Sequence, residues 1–267
     1  MSAPLNIVLI GCGKMGGALL KGWQNQNINA SFSIIDPHSP PLPGINHFSD
    51  TRSGTKALSA ADIVVLAVKP QIMTEICESI KPHTPEKALI LSIAAGQSLN
   101  AFARYFSPRQ PVIRAMPNLP ASIGKGISVA VANTAASETQ KQHAHMLLES
   151  VGKIEWIEDE NLLDAVTALS GSGPAYVFHL IEILTRAGTK AGLPAKTAET
   201  LARQTVIGAA ALAETQNTAS PATLRENVTS PGGTTEAALK ILMDGRMQDV
   251  FDETLSAAAT RSRELNT

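Results

Sequence analysis

Two stretches of this chain combine residue types suited to holding charged ligands through the backbone. The first is Gly11-x-Gly13-x-x-Gly16, placed directly after the apolar run LNIVLI. In such a loop the first glycine allows a tight turn and the second lets the backbone approach a pyrophosphate. The third lets helix pack on strand, with the phosphates at the positive helix N-terminus. Asp36 follows roughly twenty residues beyond Gly16, where a dinucleotide fold places a carboxylate for the ribose 2′-hydroxyl. The second stretch is NVTSPGGTT, Asn227 to Thr235, set between long apolar helical patterns. Gly232 and Gly233 at a helix start let backbone N–H groups converge into an anion site, and Thr235 offers a hydroxyl beside it. Taken alone, Thr235 serves equally well as a helix cap.

No strong side-chain base accompanies these loops. The histidines at 38, 47, 83, 143, 145 and 179 are scattered, and none shows an evident carboxylate partner in the sequence. Hydride chemistry needs no such base, because the nicotinamide cofactor carries the hard step. No metal site is expected.

The elements that must position these loops can be read from hydrophobic period. Up to about Ile157 the chain alternates short β-rich apolar runs, LNIVLI, FSIID, ADIVVLAV, KALILSI, QPVIRAM and KGISVAVA, with amphipathic segments. Runs of this kind predict strands buried on both faces of a mainly parallel sheet, with helices over 14–24, 71–80, 98–106 and 137–150. The proline-rich segment DPHSPPLPGINHFSD is read as a surface loop. AVKPQ and SIAAG end later strands, and in such sheets ligands bind outside the carboxyl ends of strands. Position alone leaves Lys69 open between a cofactor contact and a solvated loop lysine.

Beyond Glu158–Asn161 the strand pattern stops. Helices are predicted over 161–169, 174–191, 195–216, 221–227, 235–243 and 247–265. The predicted division is therefore residues 1–160, a Rossmann-type dinucleotide-binding domain, and 161–267, an all-α domain. AYVFHLIEILTRAG is apolar nearly all round, which a domain of that size struggles to cover alone; a second subunit would cover it.

The chain has 267 residues, 44% of them apolar, and a formal charge of −1 without a Lys/Arg cluster, so nucleic acid and anionic membranes are not expected partners. The N-terminal MSAPLNIVLIGCG lacks a basic n-region and its apolar run ends well short of a membrane span, which predicts a cytoplasmic protein. Cys12 and Cys77 are expected to stay reduced.

In their order and spacing, GCGKMG, AVKPQ, SIAAG, RAMPNLP, LSGSGPAY and NVTSPGGTT resemble the pyrroline-5-carboxylate reductase family over essentially the whole chain. SPGGTT is the most specific of them. The resemblance implies reduction of L-1-pyrroline-5-carboxylate to L-proline with NADPH or NADH, and a homodimer built from the helical domains, assembled further into decamers. It places Gly11, Gly13, Lys14 and Met15 on the cofactor phosphates, Ala67, Val68, Lys69 and Pro70 around the nicotinamide ribose, and Ala94, Ala95 and Gly96 beside the nicotinamide. Glu160, Asn227, Ser230, Gly233, Thr234 and Thr235 would line the substrate pocket, with Thr235 hydrogen-bonding the imine nitrogen.

One departure bears on the cofactor. Many relatives carry serine or asparagine, with a basic residue nearby, where this chain has Asp36-Pro37-His38. A carboxylate there suits NAD and repels the 2′-phosphate of NADP, whereas His38 and Ser39 suit the phosphate. Both cofactors are therefore retained. A 3-hydroxy acid dehydrogenase, the nearest alternative, needs a lysine on the helix after a glycine-rich segment; here SGSGPAYVFHLIEILTRAGTK has none before Lys190. A non-catalytic dinucleotide sensor would have no use for SPGGTT.

Overall fold

The computed structural model describes residues 3–265. By contact it divides into two compact units: one runs up to Ser172 and takes back the chain from Ala258 onward, and the other is Gly173–Ala257.

The first unit is built on eight strands: β1 Leu5–Ile10, β2 Ala30–Ile35, β3 Asn46–Phe48, β4 Ile63–Leu66, β5 Leu89–Ser92, β6 Val112–Met116, β7 Gly126–Ala132 and β8 Gly152–Trp156. Their order across the sheet is β3-β2-β1-β4-β5-β6-β7-β8. All neighbours are parallel except β6 and β7, which run antiparallel with Arg114 opposite Val131. Between the strands lie helices α1 Lys14–Asn25, α2 Thr55–Ser59, α3 Met73–Ile80, α4 Leu99–Tyr105 and α5 Glu138–Glu149, with a short α6, Leu163–Val166, after the last strand.

Strand alternation explains why the apolar runs are continuous. On β1, Ile7 and Leu9 join one core with Trp23 of α1 and Leu147 of α5, while Val8 and Ile10 join another with Met73 and Cys77 of α3 and Phe102 of α4. The central strands are thus covered on both faces. Trp23 stacks on Phe32 at 5.6 Å and donates its indole N–H to the Leu147 carbonyl at 2.9 Å, which satisfies its one polar group in the core.

Three features differ from the sequence reading. Asn46–Phe48, inside the proline-rich segment read as a loop, pairs with β2 as a parallel edge strand. Three residues are too few to show a period. Gly152–Trp156, not read as a strand, pairs with β7, and its half-exposed side chains hide the apolar run expected of a buried strand. The helix read over 161–169 is interrupted: after α6 the backbone widens over Thr167–Gly171 into a π-turn, with Ser172 N–H donating to Thr167 O at 2.9 Å.

The second unit is helical throughout: α7 Gly173–Lys190, α8 Ala195–Thr215, α9 Pro221–Asn227, α10 Thr234–Leu242 and most of α11, Arg246–Leu265. α7 and α8 pack closely where Gly188 meets Ala198. No residue of α7 is buried, and Phe178 is 56% exposed. No helix among the described residues is long and apolar enough to cross a membrane.

Candidate active site

Four loops leave the carboxyl edge of the sheet from adjacent strands. Backbone bonds chain them together: Gly11 N–H to Ile35 O at 3.0 Å, Ala67 N–H to Ile10 O at 2.8 Å, and Ile93 N–H to Leu66 O at 3.0 Å. Gly11–Met15, Asp36, Ala67–Pro70 and Ala94–Gly96 therefore stand side by side, in the strand order β2-β1-β4-β5.

The glycine loop fits a dinucleotide. Gly11 has φ +89°, and a Cβ on it would lie 2.8 Å from Ala67 O; a Cβ on Gly16 would lie 2.2 Å from Gly11 O. Neither position accepts a side chain. Gly13, in contrast, faces open space and is the N-cap of α1, with no side chain capping it. The first-turn N–H groups of α1 are thus left for an anion, the arrangement a pyrophosphate uses. Lys14 and Lys69 are exposed beside these loops.

Asp36 is held by three backbone donors. Its Oδ2 accepts the Cys12 N–H at 2.6 Å, and its Oδ1 accepts the N–H groups of His38 at 2.7 Å and Ser39 at 3.1 Å. Partial burial raises its pKa, but these backbone donors together outweigh burial and hold the carboxyl below its usual range. The carboxylate therefore ties the glycine loop to the end of β2. Burial, followed by the Asp36 charge, pushes the Cys12 thiol up against the pull of Ser39, so the sulfur in this loop stays protonated. Buried Cys77 is pushed up to about 12, chiefly by burial.

The loop Ala94–Gly96 is fixed at both ends. Ala94 N–H donates to Ser92 Oγ at 3.3 Å, and just beyond the loop Leu99 N–H donates to Glu160 Oε1 at 2.7 Å. The same carboxylate oxygen accepts Arg114 Nη1. Glu160 thus belongs to the first unit and is engaged by Arg114 and Leu99. The other residues expected around the substrate, Asn227, Ser230, Gly233, Thr234 and Thr235, lie together in the second unit.

In NVTSPGGTT, α9 ends at Asn227 and α10 begins at Thr234. The N-cap is Gly233, and no side chain caps it, so neither threonine is the capping residue. Gly232 takes the left-handed φ of +70° that reverses the chain. The glycine N–H groups are already paired: Gly232 with Glu236 Oε2 at 2.5 Å, Gly233 with Ser230 O at 3.0 Å. The first intrahelical bond is Ala237 N–H to Gly233 O. This leaves the first-turn N–H groups of Thr234, Thr235 and Glu236 as the donors of the helix start, one step further along than the glycines. The Gly232 N–H, then the Lys240 ammonium, hold the Glu236 carboxyl below its usual range.

The chain is similar to known proteins along its whole length. A family model described as pyrroline-5-carboxylate reductase dimerisation matches residues 160–265, and one described as NADP oxidoreductase, coenzyme F420-dependent, matches residues 6–96. A pyrroline-5-carboxylate reductase of Pseudomonas aeruginosa is 40% identical over 99% of this chain and 98% of its own. This chain belongs to the pyrroline-5-carboxylate reductase family. A solved family structure from Coxiella burnetii superposes with a TM-score of 0.90 at 35% identity, over 98% of this chain and 99% of that one. One from Plasmodium falciparum, with NADP bound, gives 0.83 at 29% identity over the whole of both chains.

Sequence reasoning missed Arg114 as the partner of Glu160 beside the Ala94–Gly96 loop, although RAMPNLP was among the motifs singled out. It also missed that two histidines have carboxylate neighbours: His179 Nδ1 lies 3.2 Å from Glu182, and His145 Nε2 lies 3.7 Å from Glu149. Both are surface pairs one helical turn apart, a spacing visible in the sequence. A cleft of about 890 Å³ opens at the amino edge of the sheet, near Asp62, Lys87 and His143, far along the strands from the cofactor loops. Arg109 and Glu86 within it pair with each other at 2.8 Å, which leaves a solvated groove.

Proposed function

We infer that this chain reduces L-1-pyrroline-5-carboxylate to L-proline, consuming one NAD(P)H and one proton and releasing NAD(P)⁺. The observation that carries this reading is the helix start at Gly233: an uncapped first turn with a threonine hydroxyl at its second position, in a chain that also holds a complete set of dinucleotide loops.

The substrate is a small cyclic imine with a carboxylate. The open N–H groups of Thr234, Thr235 and Glu236 receive that carboxylate. Charge-assisted bonds of this kind contribute about 1.5–3 kcal/mol each, and the helix end adds about 0.3–1 kcal/mol. Thr235 Oγ1 donates to the ring nitrogen, which becomes more basic as the C=N bond is reduced, so this bond strengthens toward the transition state. Asn227, Ser230 and Gly233 complete the pocket wall. When bound, the dihydronicotinamide supplies the hydride. Gly11, Gly13, Lys14 and Met15 hold its phosphates, Asp36 shapes the adenosine end, and Ala67 to Pro70 and Ala94 to Gly96 border the nicotinamide end.

The all-α region from residue 161 serves as dimerisation and substrate-binding domain of a homodimer, after a dinucleotide-binding region 1–160. The match of the dimerisation model to residues 160–265 and the uncovered apolar face of α7 support this reading. The family resemblance alone carries the step from dimer to decamer, and the N-terminal sequence and the two reduced cysteines carry the assignment to the cytoplasm.

The test is oxidation of NADPH and NADH on adding racemic pyrroline-5-carboxylate, repeated with Thr235→Ala and Thr235→Ser. Loss of one such bond should lower kcat by about 10–100-fold, about 1.4–2.7 kcal/mol, in the alanine variant, with much of it recovered in the serine variant. An alanine variant that keeps wild-type kcat and loses only thermal stability would show a structural threonine.

A further inference from the structure

Beneath the Ala94–Gly96 loop the first unit holds a part-buried ion pair that the hydride-transfer chemistry does not by itself require. Arg114, on β6 beside Ser92 of β5, is only 7% exposed. Its Nη1 meets Glu160, while its Nε is buried without a protein partner. A small cavity joins Arg114 to the loop: Ala94, Ala95, Gly96, Met116 and Thr167 line it, together with Asp164, whose Oδ1 accepts the Ser262 hydroxyl at 2.6 Å. One cation and two carboxylates thus lie on the protein side of this loop.

A pair with one buried partner is a poor stabiliser for its own sake, because desolvation of the arginine offsets much of the Coulomb gain. Its position suggests another use. On the reading that Ala94–Gly96 borders the nicotinamide, the ring beside this loop changes from neutral to positively charged when it gives up hydride. A lone arginine there would oppose that change. Glu160 cancels the arginine charge, and the geometry lets one carboxylate oxygen do so while also fixing the loop through the Leu99 N–H at 2.7 Å.

We propose that Glu160 and Arg114 are positioning residues that set the relative affinity of the site for oxidised and reduced cofactor: Glu160 holds the nicotinamide loop and neutralises Arg114 beneath it.

The two charges act with opposite sign, and this makes the inference testable by binding alone. Dissociation constants are measured for NADP⁺, NADPH and the fragment 2′-phospho-ADP-ribose, which lacks the nicotinamide. Glu160→Gln removes the carboxylate paired with Arg114, which makes the loop's surroundings one charge more positive, and should weaken NADP⁺ relative to NADPH by about tenfold, within the usual range of coupling between sites. Arg114→Met leaves Glu160 uncompensated and should shift the same ratio in the other direction. The double variant Arg114→Met/Glu160→Gln should return it to near the wild-type value, and fragment binding should stay unchanged throughout. If one single variant fails to fold, the sign of the shift in the other decides the matter. Equal weakening of NADP⁺ and NADPH, or shifts of the same sign in both single variants, would overturn the electrostatic role and leave a purely structural pair. Ala95→Leu, which fills the loop itself, tests the underlying assignment separately. If it weakens NADPH but not the fragment, the loop borders the nicotinamide and the Glu160 result stands on its own. If it changes neither, the site assignment fails and takes the inference with it.

Discussion

The two units of this protein are held together by different means. Among the described residues every buried apolar side chain belongs to the first unit except Ala198 and Ala202. The first unit sandwiches a mainly parallel sheet between two cores. The second presents Val177, Phe178, Ile183 and Leu184 on α7, Leu201, Ile207 and Leu212 on α8, and Val250 and Phe251 on α11 as exposed side chains. A monomer with that much uncovered apolar surface would be prone to associate, and a homodimer would cover it. The first unit thus buries its apolar surface within one chain, and the second leaves much of its own uncovered.

A charge in the uncovered face should give the largest effect. Phe178→Asp would place a carboxylate in the dimer interface at a cost of several kcal/mol, on the order of 3–5. The expected result is a dissociated protein whose helical unit melts first while the dinucleotide-binding unit persists, followed by calorimetry and by retained cofactor binding. A dimer of unchanged melting profile would remove the contrast between the units.

A matched pair of truncations sharpens it. Leu91, fully buried in the first unit, should cost about 2–5 kcal/mol as Leu91→Ala, with a melting temperature independent of protein concentration. Leu184, on the exposed face of α7, should cost somewhat less as Leu184→Ala, but its melting temperature should fall on dilution, as mass action requires of an interface residue. If Leu184→Ala behaves as an ordinary surface substitution, within about 0.5 kcal/mol at every concentration, the helix face is not an interface.

Smaller effects are expected at Asp36, within the first unit. Asp36→Ser removes the carboxylate and releases the N–H groups of His38 and Ser39, so kcat/KM with NADPH should rise relative to NADH, by about tenfold for one removed repulsion. An unchanged or lowered ratio would place 2′ discrimination elsewhere. The same residue predicts an acid step. Its folded pKa lies below the unfolded value of about 3.9, so its stabilisation is fully present above that pH and is lost as pH falls through the lower, folded value. Melting curves of the wild type between about pH 5 and 2 should show this loss, and Asp36→Asn should lack it.

The same contrast governs what could be read in the sequence. Strands buried on both faces announce themselves as continuous apolar runs, so β1, β4, β5 and β6 and the loops at their carboxyl ends were legible. The edge strands Asn46–Phe48 and Gly152–Trp156 were not, because a half-exposed strand loses that run. The helix start at Gly233 was legible as a Pro-Gly-Gly cluster where none belongs, but the choice of open donors was not. It depends on Glu236 and Ser230 occupying the glycine N–H groups, a matter of one turn of backbone geometry. Arg114 and Glu160 are 46 positions apart, and only the pairing of β6 with β5 and the turn after β8 brings them to the Ala94–Gly96 loop.

Sedimentation of the wild-type protein across a dilution series from micromolar to nanomolar, with pyrroline-5-carboxylate reduction assayed at each concentration, tests the central claim most directly. A helical unit completed by a second copy predicts a dimer at micromolar concentration, with activity and helical signal lost together wherever monomer appears. A folded monomer that reduces the imine at the dimer's rate would contradict it.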